Sequence, residues 1–474
     1  MTMRQVAGSL LTVGALACWA PLAGCDGSGG GARICDAAEL TSALASATPG
    51  TTVPVGACTI TGAFTVPPGV TLAGPVDAPH THIVGPAGGG AVLTLMSDAA
   101  NAAAVSDLEI ESHGSVGVLA TGAGAPTLGN VTVTATLGVG VRLERTGAAR
   151  IVGCTVTGPV TPENAGAVPV NPTADETATH GILVVESHGV WMANTTVRGF
   201  ARFGVLAVGS DLSWQSMSGR AGSVGASLGT GVMISGGTAM LDGVQVTGML
   251  EGVQAIPAYG IVIAGGADVT THGVVLERGE GFGLLQDSST STHSGLTAMG
   301  NRFAGLWTQR SPSFVVLGDV ETLISGNGLA GIVSVETDAL EVHGARVDGT
   351  TEQVSTVGET GLRMAADGVH LMEGTGTALL DGVTLDGNAR VGLLVDVRAD
   401  ADLPRVTLTS VTVSASGSAL GAVAQSPTGV IVSGAWDASV IRQGAAALND
   451  AAITTRLDVL GAVGPMYLPI VVGP

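Results

Sequence analysis

The sequence has no lysine among its 474 residues, which excludes Schiff-base chemistry and any other mechanism that needs a side-chain amine. All 18 basic residues are arginine, set against 38 acids for a formal charge of −20. Nucleic acid is therefore excluded as a partner, because holding phosphates takes clustered positive charge. Aromatic residues make up only 3% of the chain and charged residues 12%. The His-Glu-x-x-His motif and the lysine-dependent phosphate loop do not occur, and at this glycine content looser Gly patterns arise from composition and carry no weight. Nor is there an uninterrupted apolar run of about 20 residues that could span a bilayer. What is plentiful is glycine, at 74 residues, with 45% hydrophobic residues. Glycine costs a helix interior about 1 kcal/mol relative to alanine. Gly at this density predicts a many-turned all-β protein.

Residues 1–24 read as an export signal, with Arg4 as the positive start, Val6 to Ala17 as a short apolar stretch and Leu22-Ala23-Gly24-Cys25 at the cleavage point. This end resembles a bacterial lipoprotein lipobox. The resemblance implies lipidation of Cys25 and a chain held to a membrane by acyl chains, in the cell envelope on the periplasmic face or the cell surface. Residues 25–34, with the run Gly27-Ser28-Gly29-Gly30-Gly31, form a flexible tether. Three cysteines then remain. Export permits disulfides, and Cys35 with Cys58 is the only pair close in sequence, so a bridge is predicted there. Cys154 alternates with apolar neighbours and is expected to be a buried free thiol.

From Val105 a loose formula recurs: a short alternating strand such as Leu241-Asp242-Gly243-Val244-Gln245-Val246, a Gly-rich turn, then Gly and two or three apolar residues. The opening glycines fall at Gly117, Gly140, Gly181, Gly204, Gly231, Gly260, Gly283, Gly305, Gly331, Gly361, Gly392 and Gly421. Coil-sized spacing without strict period is the mark of a solenoid in which each turn stacks on the next. With its units Val383-Thr384-Leu385-Asp386-Gly387-Asn388, Gly326-Asn327-Gly328 and Gly300-Asn301, the chain resembles the pectate-lyase-like superfamily. That resemblance implies a single-stranded right-handed parallel β-helix over 35–474, with a short N-terminal capping helix. Residues 36–47 are the expected cap. Asp36 can cap the helix start, Glu39 can reach back to it, and Leu40, Ala43, Leu44 and Ala47 share one face. Pro49-Gly50 should end it.

Length variation points to where function could lie. Expansions at about 158–180, 216–230, 248–259 and 349–360 all fall between a Val-x-Val strand and the next opening glycine, so stacking should gather them on one side as a wall. They carry Glu163, Asp175, Glu176, Arg220, Glu251, Tyr259, Glu352 and Glu359, with Trp214 just ahead of one. Trp214, Tyr259, Glu251, Asp175 and Glu176 suit sugar binding, through ring stacking and hydrogen bonds to hydroxyls, or they are ordinary solvated loop residues. Aligning the residue before each Gly-Val strand puts Asp242, His272, His343 and Asp381 in one column. Asp242 and His272 fall on adjacent coils and could form an acid–base pair or a structural ladder; an extra long coil between His343 and Asp381 argues against a four-residue site. Phe203, Phe282 and Phe303 are expected as an aromatic stack inside the rod.

The fold resemblance brings two activities to weigh. The His-Gly pairs at His113, His188, His272 and His343 look superficially like the polygalacturonase motif, but the Arg-x-Lys element of those enzymes cannot exist here. Pectate-lyase action would imply Ca²⁺, for which Asp396, Asp400 and Asp402 are of the right type, and an arginine base, for which Arg220 is the candidate. The expected function is an anchored scaffold that binds glycans or other envelope components. The alternative is a polysaccharide lyase or glycoside hydrolase with its cleft on the expanded-loop side.

Overall fold

A computed structural model of the chain describes residues 33–425, apart from 78, 169–176, 218, 251–257, 352, 355–362, 365, 373, 390, 397–404 and 415–419. Alternation is the local rule that builds it. Strands such as Leu108–Ser112 and Asp268–His272 bury every second residue, with the buried set joining one continuous apolar interior. Each coil contributes three strands, illustrated by Gly138–Glu144 on a first face, Arg150–Val152 on a second and Thr155–Thr157 on a third. Every strand pairs in parallel with its equivalents in the coils before and after, for example Val139 with Val116 below and His180 above. The third face is a 14-stranded sheet. First and second faces merge into one 26-stranded sheet because Phe203–Gln215 and Thr230–Asp242 run through the corner between them without a break. The predicted parallel β-helix is thus present, about 60 Å long at about 4.8 Å per rung.

The corners explain much of the composition. In the coil after Phe282, Ser288 (φ 51°), Gly295 (φ 59°) and Gly300 (φ 61°) stand at the three bends, one left-handed residue at each. A side chain there costs about 1–2 kcal/mol, so glycine is favoured, as in the Asp-Gly-Val and His-Gly-Val units. The opening glycines answer a second need. A β-carbon on Gly140 would fall against Val156 Cγ1 of the third face and the Gly181 carbonyl of the next coil. This column runs as predicted except at one coil, where Gly368, not Gly361, stands above Gly331. Gly361 lies outside the described residues; the insertion before this strand is longer than the glycine spacing suggested.

The ladder also starts earlier than the repeat suggested. Strands Thr52–Pro54, Thr59–Thr61 and Phe64–Val66 already form the first coil. Their first-face strand opens on Phe64 rather than glycine, which hid it. Helix α1, Ala37–Ser46, closes this end with Leu40 and Leu44 buried against the core. The Asp36 carboxylate accepts from the Ala38 and Glu39 amides at 2.8 and 3.0 Å, as a helix cap should. Cys35 and Cys58 form the predicted disulfide, Cα atoms 5.8 Å apart, and Cys154 is a buried free thiol whose pKa burial pushes up to about 12.

Beside the glycine at one corner, asparagine supplies further bonds. Between third and first faces, Asn301 Nδ2 donates to Asn327 Oδ1 at 3.0 Å and to the Leu276 carbonyl at 3.2 Å. Asn327 Nδ2 donates to the Ala298 carbonyl at 2.9 Å, and Asn388 Nδ2 to that of Val347 at 3.2 Å. These buried amides satisfy backbone groups that the bends leave without sheet partners.

Candidate functional site

The outward residues of the second face form the open surface of the rod. Strand alternation turns Val190, Met192, Leu212 and Leu241 inward, and so turns Trp191, Ser213 and Met240 outward in one ladder column that continues to Thr270. A shallow groove of about 390 Å³ crosses four rungs there, lined by Trp191, Asp211, Ser213, Met240, Asp268 and Thr270 among others. Trp191 is partly exposed and Met240 is 41% exposed, an apolar floor open to solvent. The Arg150 guanidinium lies over the Trp191 ring at 5.7 Å and fixes its plane from the neighbouring rung. On the groove's flank His188 Nδ1 lies 3.0 Å from Asp211 Oδ2, and Thr238 Oγ1 donates to Asp211 Oδ1 at 2.8 Å. The His188 and Thr238 hydrogen bonds hold the Asp211 carboxyl below the usual carboxylate range.

At the groove's other edge stands the predicted column. Asp242 and His272 are ladder neighbours with Oδ1 and Nδ1 3.1 Å apart, both exposed. Ser294 and Leu317 then intervene before His343. His343 and Asp381 are themselves direct partners, 3.6 Å apart. The expectation that a long coil separates them is corrected: the insertion leaves at a corner and the ladder closes beneath it. Asp319, bonded to the rung neighbour of His272, was missed in the sequence. Its carboxylate accepts from Ser294 Oγ at 2.6 Å, and its pKa is lowered by that bond first and by the charge of His272 among the lesser causes. His272 is paired with the Asp242 carboxylate, and Asp319 is tied to Ser294, the next residue of the same ladder column. Only the packing of a loop residue against the ladder shows this; no spacing signals it.

Several sequence candidates fall elsewhere. Trp214 is fully buried in the core, since alternation within Phe203–Gln215 turns it inward, and its indole N–H has no acceptor. Tyr259 is 6% exposed on the outer side of the first face, stacked on Phe282 with centroids 5.6 Å apart, and burial raises its pKa. Neither is placed to meet a sugar from solvent. Arg220 is exposed, but its hairpin, bridged to Met217, lies between second and third faces. The 216–230 expansion therefore does not join the wall proposed for the others, which do open between third and first faces. Glu163 lies there, with a carboxyl lowered first by its Thr161 hydrogen bond. Glu251, Asp175, Glu176, Glu352, Glu359, Asp400, Asp402 and Cys25 lie outside the described residues, and Asp396 is described through its backbone alone. Among the described residues no group of three or more His, Cys, Asp or Glu is placed to hold a metal ion.

Phe203, Phe282 and Phe303 are not inside the rod. The glycine after Phe203 or Phe282 points inward, so the phenyl ring points out, into a second apolar cluster with Tyr259 and Trp307. His180 joins that outer cluster, stacked on Phe203 at 5.3 Å. Its Nε2 is buried without a hydrogen-bond partner, and burial, with the Arg202 charge second, brings its pKa down to about 4.

No protein-family model and no curated protein matches the sequence. Among solved structures, the A-module of an Azotobacter vinelandii mannuronan C-5 epimerase is similar at 14% identity, covering 80% of this chain and 95% of that one with a TM-score of 0.46. A periplasmic alginate epimerase is similar at 10% identity over 84% of this chain and 81% of that one, TM-score 0.31. The pectate lyase Pel9A shares 11% identity over 58% and 70%, TM-score 0.23.

Proposed function

We propose that the protein is an exported, lipid-anchored solenoid that binds polysaccharide strands along the groove of its second face. The observation that carries this is the Trp191 ring, held open by Arg150 on a floor with exposed Met240 and edged by Asp211, Asp268 and Thr270. A partly exposed indole among carboxylates and hydroxyls matches the apolar face and hydroxyl rim of a sugar ring. The rung spacing of about 4.8 Å is close to the length of one pyranose unit, so successive rungs can meet successive sugars. With Asp211 and Asp268 in the groove and a net charge of −20, uronic-acid polymers are repelled and neutral or amino-bearing glycans are preferred. Export and anchoring rest on the signal-like first 24 residues, on Cys25 and on the Cys35–Cys58 disulfide.

A second reading, a carbohydrate-active enzyme, is favoured by the exposed His272–Asp242 pair, which could move a proton near the groove. One experiment separates the two. Immobilised neutral, amino and uronic oligosaccharides are probed with the wild type and Trp191→Ala, while reducing ends and unsaturated products are assayed. The expected result is binding of a neutral or amino glycan that weakens at least tenfold in Trp191→Ala, about 1.4 kcal/mol, without product. Product that disappears in His272→Ala would establish the enzymatic reading, and binding indifferent to Trp191 would remove the groove from either.

A further inference from the structure

Strand alternation makes the two edges of the second-face groove differ rung by rung. On three successive rungs the floor is Ser213, Met240 and Thr270. The residues two before and two after each also turn outward, about 6.6 Å to either side at about 3.3 Å per residue. One edge therefore carries Asp211, Thr238 and Asp268, and the other Gln215, Asp242 and His272. A carboxylate stands on one side, then the other, then the first again, and Gln215, Thr238 or His272 stands opposite it. Building on the reading of this groove as a glycan site, we infer that it selects a β-1,4-linked polymer of 2-amino sugars whose amines are free.

The match is one of alternation and step. β-1,4 linkage through equatorial bonds turns each unit over relative to the last. The edge bearing the C2 amine therefore changes side at every unit, and the C6 hydroxymethyl group takes the opposite side. Laid along Ser213, Met240 and Thr270, three units bring their amines to Asp211, Asp242 and Asp268 in turn, with their hydroxymethyl groups toward Gln215, Thr238 and His272. Same-side carboxylates repeat after two rungs, about 9.6 Å, which is close to the two-unit repeat of such a chain. Trp191 lies one rung before Ser213 and offers its ring face to the unit that precedes these three. The acceptors are reachable: the Asp211 and Asp242 side chains are each 44% exposed, and Asp268 is exposed. Among the described residues none of the three pairs with an arginine. Asp211 meets His188 and Thr238, and Asp242 meets His272 through Oδ1. An ionised carboxylate has about four lone-pair sites, so each retains room for an ammonium donor and also favours the charged form of the amine.

Hexamers of β-1,4-glucosamine, of its N-acetylated counterpart, of β-1,4-glucose and of α-1,4-glucosamine, titrated calorimetrically into the full-length protein in neutral buffer, test this. The β-1,4 amine should bind about tenfold tighter than the other three, as three exposed charge pairs would give, and the preference should shrink between about 50 and about 500 mM sodium chloride. Asp242→Asn and Asp268→Asn should each lower the amine-to-acetyl affinity ratio about threefold, while Glu109→Gln, an exposed charge on the third face, should leave that ratio unchanged. Equal affinity for the amine, acetylated and glucose hexamers, weakened in Trp191→Ala, would overturn the inference and leave the groove a glycan site. So would a preference that follows net charge alone, changing as much in Glu109→Gln as in the groove variants, or one shared by the α-linked amine, whose coiled chain lacks the alternation. Binding of none of the hexamers, or binding indifferent to Trp191, would remove the groove as a glycan site and the inference with it. Retained strand circular dichroism certifies that each variant is folded.

Discussion

At the scale of single residues, burial decides what each ionisable group can do. His293 is fully buried inside the rod, its Nδ1 2.9 Å from Thr271 Oγ1 and its Nε2 2.7 Å from Ser291 Oγ, and burial pulls its pKa down to about 3. A histidine held neutral in the fold but free to protonate when unfolded makes the unfolded state bind more protons below about pH 6.5. Its contribution to stability is complete above that pH and is lost as pH falls toward 3. His180, with its pKa near 4, acts with the same sign over a shorter window. Each should cost on the order of 1 kcal/mol per pH unit between about pH 6 and 4. Urea unfolding of wild type and His293→Gln at several pH values checks this: the stability difference should shift in favour of the variant on acidification, and parallel curves would refute the account. The paired surface histidines are different in kind, since His272 and His188 each gain a carboxylate partner in water rather than losing water.

At the scale of elements, the capping helix and its disulfide form one device. A parallel solenoid ends in unpaired strand groups, and helix α1 covers that end through Leu40 and Leu44. The bridge spans 23 residues and ties the segment before the helix to the turn before Thr59–Thr61. Closing a loop of that size constrains the unfolded chain by about 3 kcal/mol. Reduction should therefore loosen the first coils selectively. Hydrogen exchange in dithiothreitol should show amide protection lost over 36–66 before any loss over 230–247; uniform loss would show that the disulfide does not pin the cap. Sequence reading recovered this element well because helix capping and cysteine pairing act over short separations. Phe203 and Phe282 were not legible in this way, because the inward position of each strand is taken by the glycine that follows, and alternation then turns the ring out.

At the scale of the whole molecule, the long acidic rod carries its charge without lysine to offset it. An excess of 20 negative charges destabilises any compact form by self-repulsion, and salt screens that repulsion within about 8 Å at physiological strength. Raising sodium chloride from 10 to about 150 mM should raise the melting temperature by a few degrees at pH 7 and by much less near the isoelectric point of about 4.6. No salt effect at pH 7 would mean that local pairs such as Arg310 with Asp287 already balance the field. The faces also differ: the first keeps its outer apolar column buried, while the second exposes Trp191 and Met240.

The sequence by itself determined the solenoid, its cap, the Cys35–Cys58 bridge and the column that joins Asp242 to His272, because these follow from periodicity, local capping and the left-handed residue each bend requires. Tertiary structure alone decided which candidates share a surface. It buried Trp214 and Tyr259, opened Trp191, and brought Asp319 to Ser294, the rung neighbour of His272. In a stacked coil the side a residue faces depends on where its strand meets a corner, and its neighbours are set by the rungs above and below. Neither can be counted along the chain when the coils differ in length.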